Sequence, residues 1–382
     1  MNSRHLFALR GGDVLTCSPR VREEILLAAF RYWHRRGFPY YRLTDREIIA
    51  AYRSIANSAT HTLWQGTDLQ LSPVGQQVAT MFQPHIWSVP VYKSLRHRFR
   101  TPYERFSDPT SLRACLARAV RVWPERFCFR PSTVRRALMT YPNTAAAVNF
   151  RPTAALAIYK RFASDGECVL DFSAGYGGRL VGALAAGCRY VGIEPSSRSV
   201  NGMRRMAREF ARLGLTTAAP VLLHGCAEDL MPRIEANSFS LIFSSPPYFS
   251  KERYTRQRAQ SWRRYEGYDH WKKFFLTRVI AESSRLLTPA GLLVMNLGDP
   301  FGLPIVRDAL SAANSHFEVH QVCFLRLGRL PYIRSTVKSP FKYEPVIVFR
   351  KRPMRRAALL NRSLHRPLPD RVPRRSSHRR LL

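Results

Sequence analysis

Acidic side chains are scarce in this chain of 382 residues, in which 26 Asp and Glu stand against 61 Lys and Arg. The formal net charge is +35 at pH 7, and most of the basic residues are arginine. A genomic bias towards arginine codons would account for Arg in place of Lys, but not for the shortage of acids. A charge of this size repels itself unless a polyanion is nearby, so a phosphate backbone is the expected partner.

Cysteine pairs and long apolar runs are also missing. The seven cysteines are scattered, without a C-x-x-C pair or a histidine cluster at zinc spacing. We therefore expect no disulfide framework, no bound metal and an intracellular, reducing compartment, either cytoplasm and nucleoid or a host nucleus. No stretch approaches the roughly 18 apolar residues that span a bilayer, so no membrane partner is expected. The Arg-rich first forty residues leave an organelle address open, although Asp13, Glu23 and Glu24 weaken it.

The chain divides into three regions. Residues 1–145 show helical periodicity with a basic face and no catalytic motif, and we assign them target recognition as a hypothesis. Residues 146–352 alternate short apolar strands with amphipathic helices, which predicts a parallel α/β sheet. This region ends in two long strand-like runs, 318–327 and 344–350, joined by a basic loop. Residues 353–382 are rich in Arg, Pro and Ser, which predicts a disordered basic tail.

A glycine-rich turn follows the first predicted strand of the second region, Cys168–Phe172. Asp171 opens the sequence D-F-S-A-G-Y-G-G, which leads into a predicted helix. Glycines at this point let the chain turn sharply and bring backbone N–H groups against a ligand. Glu194, at the tip of the next predicted strand, can accept hydrogen bonds from ribose hydroxyls. Both signals fit a dinucleotide-binding dehydrogenase as well as a methyltransferase.

A Ser-Pro-Pro-Tyr turn, residues 245–248, ends the fourth predicted strand and decides between these classes. Two successive prolines remove two N–H donors and fix the backbone, so a carbonyl can be directed into a pocket. The Ser245 hydroxyl and the Pro246 carbonyl can accept the two hydrogens of an exocyclic amine, which directs the nitrogen lone pair at a methyl donor. Tyr248 can stack on an extruded base. The turn therefore indicates a methyltransferase.

With these motifs, the chain resembles the class I methyltransferases of the N6-adenine and N4-cytosine amino group. The sequences D-F-S-A-G-x-G-x-R-L and S-P-P-Y-F are particularly similar to those of phage and viral DNA methylases. The resemblance covers about residues 148–351. It implies a Rossmann-like α/β sheet with C-terminal antiparallel strands and S-adenosylmethionine as cofactor. The implied substrate is a base in nucleic acid, in DNA more than in RNA.

The resemblance also implies roles for individual residues. Asp171, Gly175 and Gly177 would line the cofactor site, Glu194 would hold the ribose and Glu228 would lie near the adenine ring. Cys226 stands where many relatives have Asp, and Tyr176 is bulkier than some family members allow. The implied cofactor-binding residues are Asp171, Ser173, Gly175, Gly177, Glu194 and Glu228. The implied catalytic residues are Ser245, Pro246, Pro247 and Tyr248.

The expected reaction is direct in-line transfer, because the turn lacks the Pro-Cys nucleophile that carbon-5 methylation of cytosine needs. The serine of the turn favours the N4 amino group of cytosine as the target, but the choice between cytosine and adenine stays open. The alternatives are an RNA base methyltransferase, a non-catalytic nucleic-acid-binding protein with this fold, and protein glutamine methylation, which the charge and the serine disfavour. Further candidates for the pocket, each also explained as an ordinary loop or cap residue, are Glu252, Tyr254, Gln260, Ser261, Asn296 and Asp299.

Overall fold

The computed structural model describes residues 3–94, 96–329 and 341–352. The expected basic tail, 353–382, and most of the predicted basic loop before the last strand lie outside the described residues. Within the described part, no helix combines the length and the apolar character that crossing a bilayer requires.

The described strands belong to one nine-stranded sheet. They are β1 (Trp64–Gln65), β2 (Asp68–Gln70), β3 (Cys168–Asp171), β4 (Arg189–Glu194), β5 (Val221–His224), β6 (Phe239–Ser244), β7 (Leu287–Asn296), β8 (Phe317–Arg329) and β9 (Phe341–Lys351). The α-helices are α1 (Ser3–Ala8), α2 (Gly11–Thr16), α3 (Pro19–Arg36), α4 (Asp45–Ala56), α5 (Thr60–Leu63), α6 (Gln76–Met81), α7 (Pro102–Ser107), α8 (Pro109–Val122), α9 (Pro131–Met139), α10 (Pro152–Phe162), α11 (Gly178–Ala185), α12 (Ser197–Arg212), α13 (Ala227–Leu230), α14 (Ser261–Arg264), α15 (Tyr268–Trp271), α16 (Thr277–Leu286) and α17 (Ile305–Ala313).

The strand order across the sheet is β1-β2-β8-β9-β7-β6-β3-β4-β5. Strands β3 to β7 are parallel to one another, and β9 runs antiparallel to both β7 and β8. The predicted Rossmann-like α/β class with C-terminal antiparallel strands is therefore confirmed. Because the chain proceeds from β3 through β4 to β5 and then returns to β6 on the other side of β3, the sheet has a switch point there. Ligands bind at the carboxyl ends of strands at such points.

The strands around the switch point form where short apolar runs are covered on both faces. All six side chains of β6 are buried or half-buried, as expected of a central parallel strand. The sequence periodicity predicts a helix over 270–287 and a strand over 292–297. The helical segment begins at Tyr268 and contains one π-helical turn, Lys272–Leu276. The strand after it begins at Leu287, five residues earlier than predicted, because Leu287 pairs with Phe239 of β6.

The N-terminal region contributes to the sheet as well as to a separate helical core. Strand β2 pairs in parallel with β8, and its Leu69 is fully buried. Helices α4 and α6 share one apolar core with α10, α11 and α12 of the central sheet. Helices α1, α2, α3, α7, α8 and α9 contribute to a second core, which contains Trp33. The prediction of a purely helical region omitted β1 and β2, since strands of two and three residues are too short to show an alternating pattern.

Candidate active site

Two adjoining cavities open at the carboxyl ends of β3, β4 and β6. The small cavity, of about 650 Å³, is lined by Phe172, Ser173, Gly175, Tyr176, Glu194, Pro195, Ser199, Cys226, Ala227, Glu228, Ser245, Pro247, Tyr254, Ala259, Gln260, Ser261, Tyr265 and Phe275. The large cleft, of about 1370 Å³, contains Pro246, Tyr248, Lys251, Glu252, Asn296, Lys342 and Glu344 among its lining residues. The two share Ser173, Gly175, Tyr176, Ser245 and Tyr254. The sheet thus brings the glycine-rich turn and the Ser-Pro-Pro-Tyr turn to one place.

The glycine-rich turn requires a left-handed backbone at two positions, with φ of +59° at Gly175 and +82° at Gly177. Any side chain at these positions would strain the turn. Asn149 holds the turn from below, donating from Nδ2 to the Tyr176 carbonyl (3.2 Å) and accepting at Oδ1 from the Gly178 N–H (2.9 Å). Gly175 lines both cavities, whereas Gly177 lines neither and serves the turn through its left-handed backbone.

Asp171 lies beneath the cavities and lines neither of them, in contrast to what the resemblance implies. Its carboxylate is fully buried and accepts hydrogen bonds from Arg179 Nε (2.7 Å), the Tyr190 hydroxyl (2.9 Å) and the Ser244 hydroxyl (2.8 Å). The Ser173 N–H is a further donor at 3.2 Å. With these partners, the carboxylate connects β3 to β4, β6 and α11.

Glu194 ends β4, the strand-tip position that the sequence predicts for it, and lines the small cavity. One carboxylate oxygen accepts the Gly175 N–H (2.9 Å) and the other accepts the Ser196 N–H (2.8 Å). Each oxygen keeps a lone pair for another donor. Burial raises the pKa of Glu194 to about 7.

Glu228 lines the small cavity and is held by the chain that follows the Ser-Pro-Pro-Tyr turn. Arg264 Nε lies 2.9 Å from its Oε1, and the Tyr265 hydroxyl donates to the same oxygen. Arg264 also donates to the Cys226 sulfur at 3.1 Å. Burial raises the pKa of Glu228. Sequence analysis missed Arg264 and Tyr265, because no motif marks them and only the fold returns α14 to this wall.

Gln260 lines the small cavity. The residue is buried, and its Nε2 has no hydrogen-bond partner among the described residues. A buried donor without a partner costs about 1–3 kcal/mol, so this amide is suited to an acceptor atom on a ligand. The neighbouring Ser261 donates to the Phe249 carbonyl (2.6 Å) and braces the loop.

The Ser-Pro-Pro-Tyr turn divides its side chains between the two cavities. Ser245 faces both, Pro247 lines the small cavity, and Pro246 and Tyr248 line the large cleft. The Lys251 ammonium lies 5.5 Å from the centre of the Tyr248 ring. Burial raises the pKa of Tyr248, so the phenol stays neutral.

The remaining candidates divide between the cleft wall and structural roles. Tyr254 lines both cavities and donates its hydroxyl to Glu252, whose pKa burial raises. Asn296 lines the large cleft and donates to the Pro345 carbonyl (3.3 Å). Asp299 accepts the Val306 N–H (2.8 Å) in the first turn of α17.

No family model and no curated protein matches the chain. Among solved structures, it is similar to a methyltransferase from Pyrococcus furiosus, with 16% identity over 52% of this chain and 82% of that chain and a TM-score of 0.34. It is similar to TrmN from Thermus thermophilus, with 15% identity, 63% and 78% coverage and a TM-score of 0.36. It is also similar to a predicted O-methyltransferase from Agrobacterium tumefaciens, with 15% identity over 52% of this chain and 81% of that chain and a TM-score of 0.35.

Proposed function

We propose that this protein transfers a methyl group from S-adenosylmethionine to the exocyclic amino group of a base in nucleic acid. The observation that carries the proposal is the position of Ser245, which lines both the small cavity and the large cleft. A nucleophile in the large cleft can therefore meet a methyl group in the small cavity beside this hydroxyl.

The small cavity fits the proposed cofactor. Glu194 has free lone pairs for the two ribose hydroxyls, and the unpartnered amide of Gln260 can donate to a nitrogen of the adenine ring. The open face of Gly175 and the Ser173 backbone would accommodate the amino-acid end. When bound, S-adenosylmethionine supplies an electrophilic methyl group on its sulfonium.

The protein residues in the large cleft would orient the amine. The Ser245 hydroxyl and the Pro246 carbonyl accept the two N–H groups, so the lone pair of the nitrogen points towards the small cavity. Tyr248 presents a neutral aromatic ring in the same cleft, suited to stacking on the base. After transfer, the methylated nitrogen returns to neutrality by releasing one proton to solvent. Catalysis is then mainly positioning, without a covalent intermediate on the enzyme.

The net charge of +35 supports a polyanionic substrate. The resemblance to phage and viral methylases favours DNA over RNA, and the serine of the turn favours cytosine N4 over adenine N6. Methylation of a protein glutamine is disfavoured, because an arginine-rich surface gives no reason to bind a protein chain.

The test is transfer of labelled methyl from S-adenosylmethionine to DNA and to RNA in parallel, with digestion to nucleosides and mass spectrometry. We expect a base methylated on its amino group, in DNA, and no product with Ser245→Ala. Cofactor binding without transfer to either polymer would overturn the substrate class. A chain that binds no cofactor would be a scaffold and not an enzyme.

A further inference from the structure

A third depression lies beside the loop that follows the catalytic turn. It forms where residues 85–104 of the N-terminal region meet the start of α12 and residues 253–262, and its volume is about 1710 Å³. We call it the arginine groove, after its charged and aromatic lining of Tyr92, Arg98, Arg198, Arg253, Arg256 and Trp262. Tyr254 lines this groove as well as both cavities, so the groove adjoins the active site.

The groove carries more positive charge than its own carboxylates neutralise. Glu104, the acid in its lining, forms an ion pair with Arg98 at 2.8 Å. In the described part of the chain, no carboxylate forms an ion pair with Arg198, Arg253 or Arg256. Three guanidinium groups are therefore available to an anion. Guanidinium groups bind phosphate through two parallel hydrogen bonds.

A histidine in the groove wall reports the same positive potential. The pKa of His85 is lowered to about 4 by burial and by the positive charges of Arg198 and Arg205. The imidazole is therefore neutral at physiological pH and adds no charge of its own. An anion in the groove would relieve the repulsion among the arginines around it.

Aromatic rings hold one of these cations in place. The Arg253 guanidinium lies 4.1 Å from the centre of the Tyr92 ring and 4.7 Å from that of Trp262. The Trp262 indole is itself fixed by donating to the Thr255 carbonyl (3.1 Å). A planar cation held between two rings is already ordered before a ligand binds, which reduces the entropy cost of binding. Aromatic rings interleaved with arginine are the pattern used to hold single-stranded nucleic acid.

The groove is joined to the active site through the backbone. The Tyr92 N–H donates to the Lys251 carbonyl (2.9 Å), and the Arg253 N–H donates to the Pro90 carbonyl (3.2 Å). These bonds attach the N-terminal wall to the loop that carries Tyr254. A polynucleotide strand bound in the groove would therefore contact the loop that borders both cavities.

We propose that the arginine groove binds the sugar-phosphate strand next to the target nucleotide. This inference rests on the proposed function for the nature of the target, but the polynucleotide contact itself requires neither cofactor nor turnover. The N-terminal region would then take part in substrate binding through its 85–104 segment.

The test uses the full-length chain with Arg198→Glu and Arg256→Glu combined. Arg256 is exposed in a loop, and a glutamate at the second residue of α12 is favoured by the helix dipole, so the fold should tolerate both changes. The matched control is Arg46→Glu with Arg53→Glu, two exposed arginines of α4 that line neither the groove nor the two cavities and change the net charge equally.

Binding of short labelled DNA and RNA strands is measured by fluorescence anisotropy at several salt concentrations, without cofactor. We expect the groove variant to bind at least about tenfold more weakly than the control variant, with a shallower dependence on salt. Binding of S-adenosylhomocysteine should be the same in both, which shows that the fold is retained.

Equal polynucleotide affinity in the two variants would overturn the inference. If the wild type binds polynucleotide through the groove but methylates no nucleic acid, the groove stands and the proposed activity fails. If the wild type methylates DNA and the groove variant matches the control in affinity and KM, the activity stands and the groove fails.

Discussion

Among single residues, Glu194 has the clearest dependence on protonation. Its burial raises the pKa to about 7, so the unliganded side chain is largely protonated below neutrality and carboxylate above it. In the proposed complex, ribose hydroxyls would donate to the carboxylate, and the ligand would therefore favour the charged form. Cofactor binding should release a proton when the pH lies below about 7.

We therefore expect the affinity for S-adenosylmethionine to fall as the pH is lowered through about 7, up to about tenfold for each pH unit below the pKa. Isothermal titration calorimetry in two buffers of different ionisation enthalpy measures both the affinity and the protons released. Glu194→Gln should bind more weakly and lose this pH dependence. A Gln variant that retains the same slope would assign the titration to another group.

At the catalytic turn, Ser245→Ala should lower kcat by about 100-fold or more, in line with the loss of one positioned hydrogen-bonding group in an active site. Tyr248→Ala should lose the stacking contribution of about 1–3 kcal/mol, whereas Tyr248→Phe should retain most of it. Cofactor affinity should stay within a few-fold in all three. Full activity in Tyr248→Ala would show that the ring does not stack on the base.

Replacing Gln260 should affect thermal stability and cofactor affinity in opposite directions. Gln260→Leu removes an unpartnered buried donor, so the unliganded protein should melt at the same or a higher temperature. The same change should weaken S-adenosylmethionine binding by about 1–3 kcal/mol, because the ligand loses its donor. Thermal melting with and without cofactor measures both effects. Unchanged affinity would remove Gln260 from the binding site.

At the scale of elements, one buried ion pair connects the strands on which the site is built. Asp171 of β3 binds Arg179 of α11, Tyr190 of β4 and Ser244 of β6. Ser244 is the residue directly before the catalytic turn, so the network sets the position of that turn relative to the glycine-rich turn.

Removing the Asp171 charge should therefore act on stability first. Asp171→Asn leaves Arg179 buried without its counter-ion, and we expect a loss of about 3–5 kcal/mol in the free energy of unfolding. Urea denaturation measures it. The control is Asp45→Asn, whose ion pair with Arg212 is more than half exposed on both sides and should contribute little. Equal effects of the two substitutions would contradict a structural role for Asp171.

At the scale of the whole molecule, the N-terminal region and the sheet are one structure over part of their length. Ile55 of α4 and Leu69 of β2 are fully buried in the same core as Leu180 of α11 and Val348 of β9. This shared core means that residues 45–81 cannot be removed without exposing apolar surface of the sheet.

A large-to-small change at this junction should consequently destabilise the catalytic region. We expect Ile55→Ala to cost about 2–5 kcal/mol and to lower the midpoint of the same unfolding transition as Val348→Ala. Differential scanning calorimetry shows whether the transitions coincide. If Ile55→Ala shifted a separate transition and left cofactor binding and the main transition unchanged, the N-terminal region would be an independent domain.

Local sequence patterns were sufficient to predict the α/β succession and to locate the two turns. Apolar runs and helical periodicity are local signals, and they located β3 to within one residue. Glycine and proline act through their own backbone torsions, so Gly175 and the Ser-Pro-Pro-Tyr turn were recognisable without knowledge of their neighbours.

Which of these residues line the cavities depends on the tertiary structure. Asp171 is hydrogen-bonded by partners from three elements, and Gln260 lines the small cavity. Strand β2 pairs with β8, which lies more than 250 positions later in the chain. The arginine groove is likewise built from segments far apart in the chain. Such contacts follow from the order of the strands in the sheet, which brings distant residues together, and no local pattern encodes a hydrogen-bond partner at that separation.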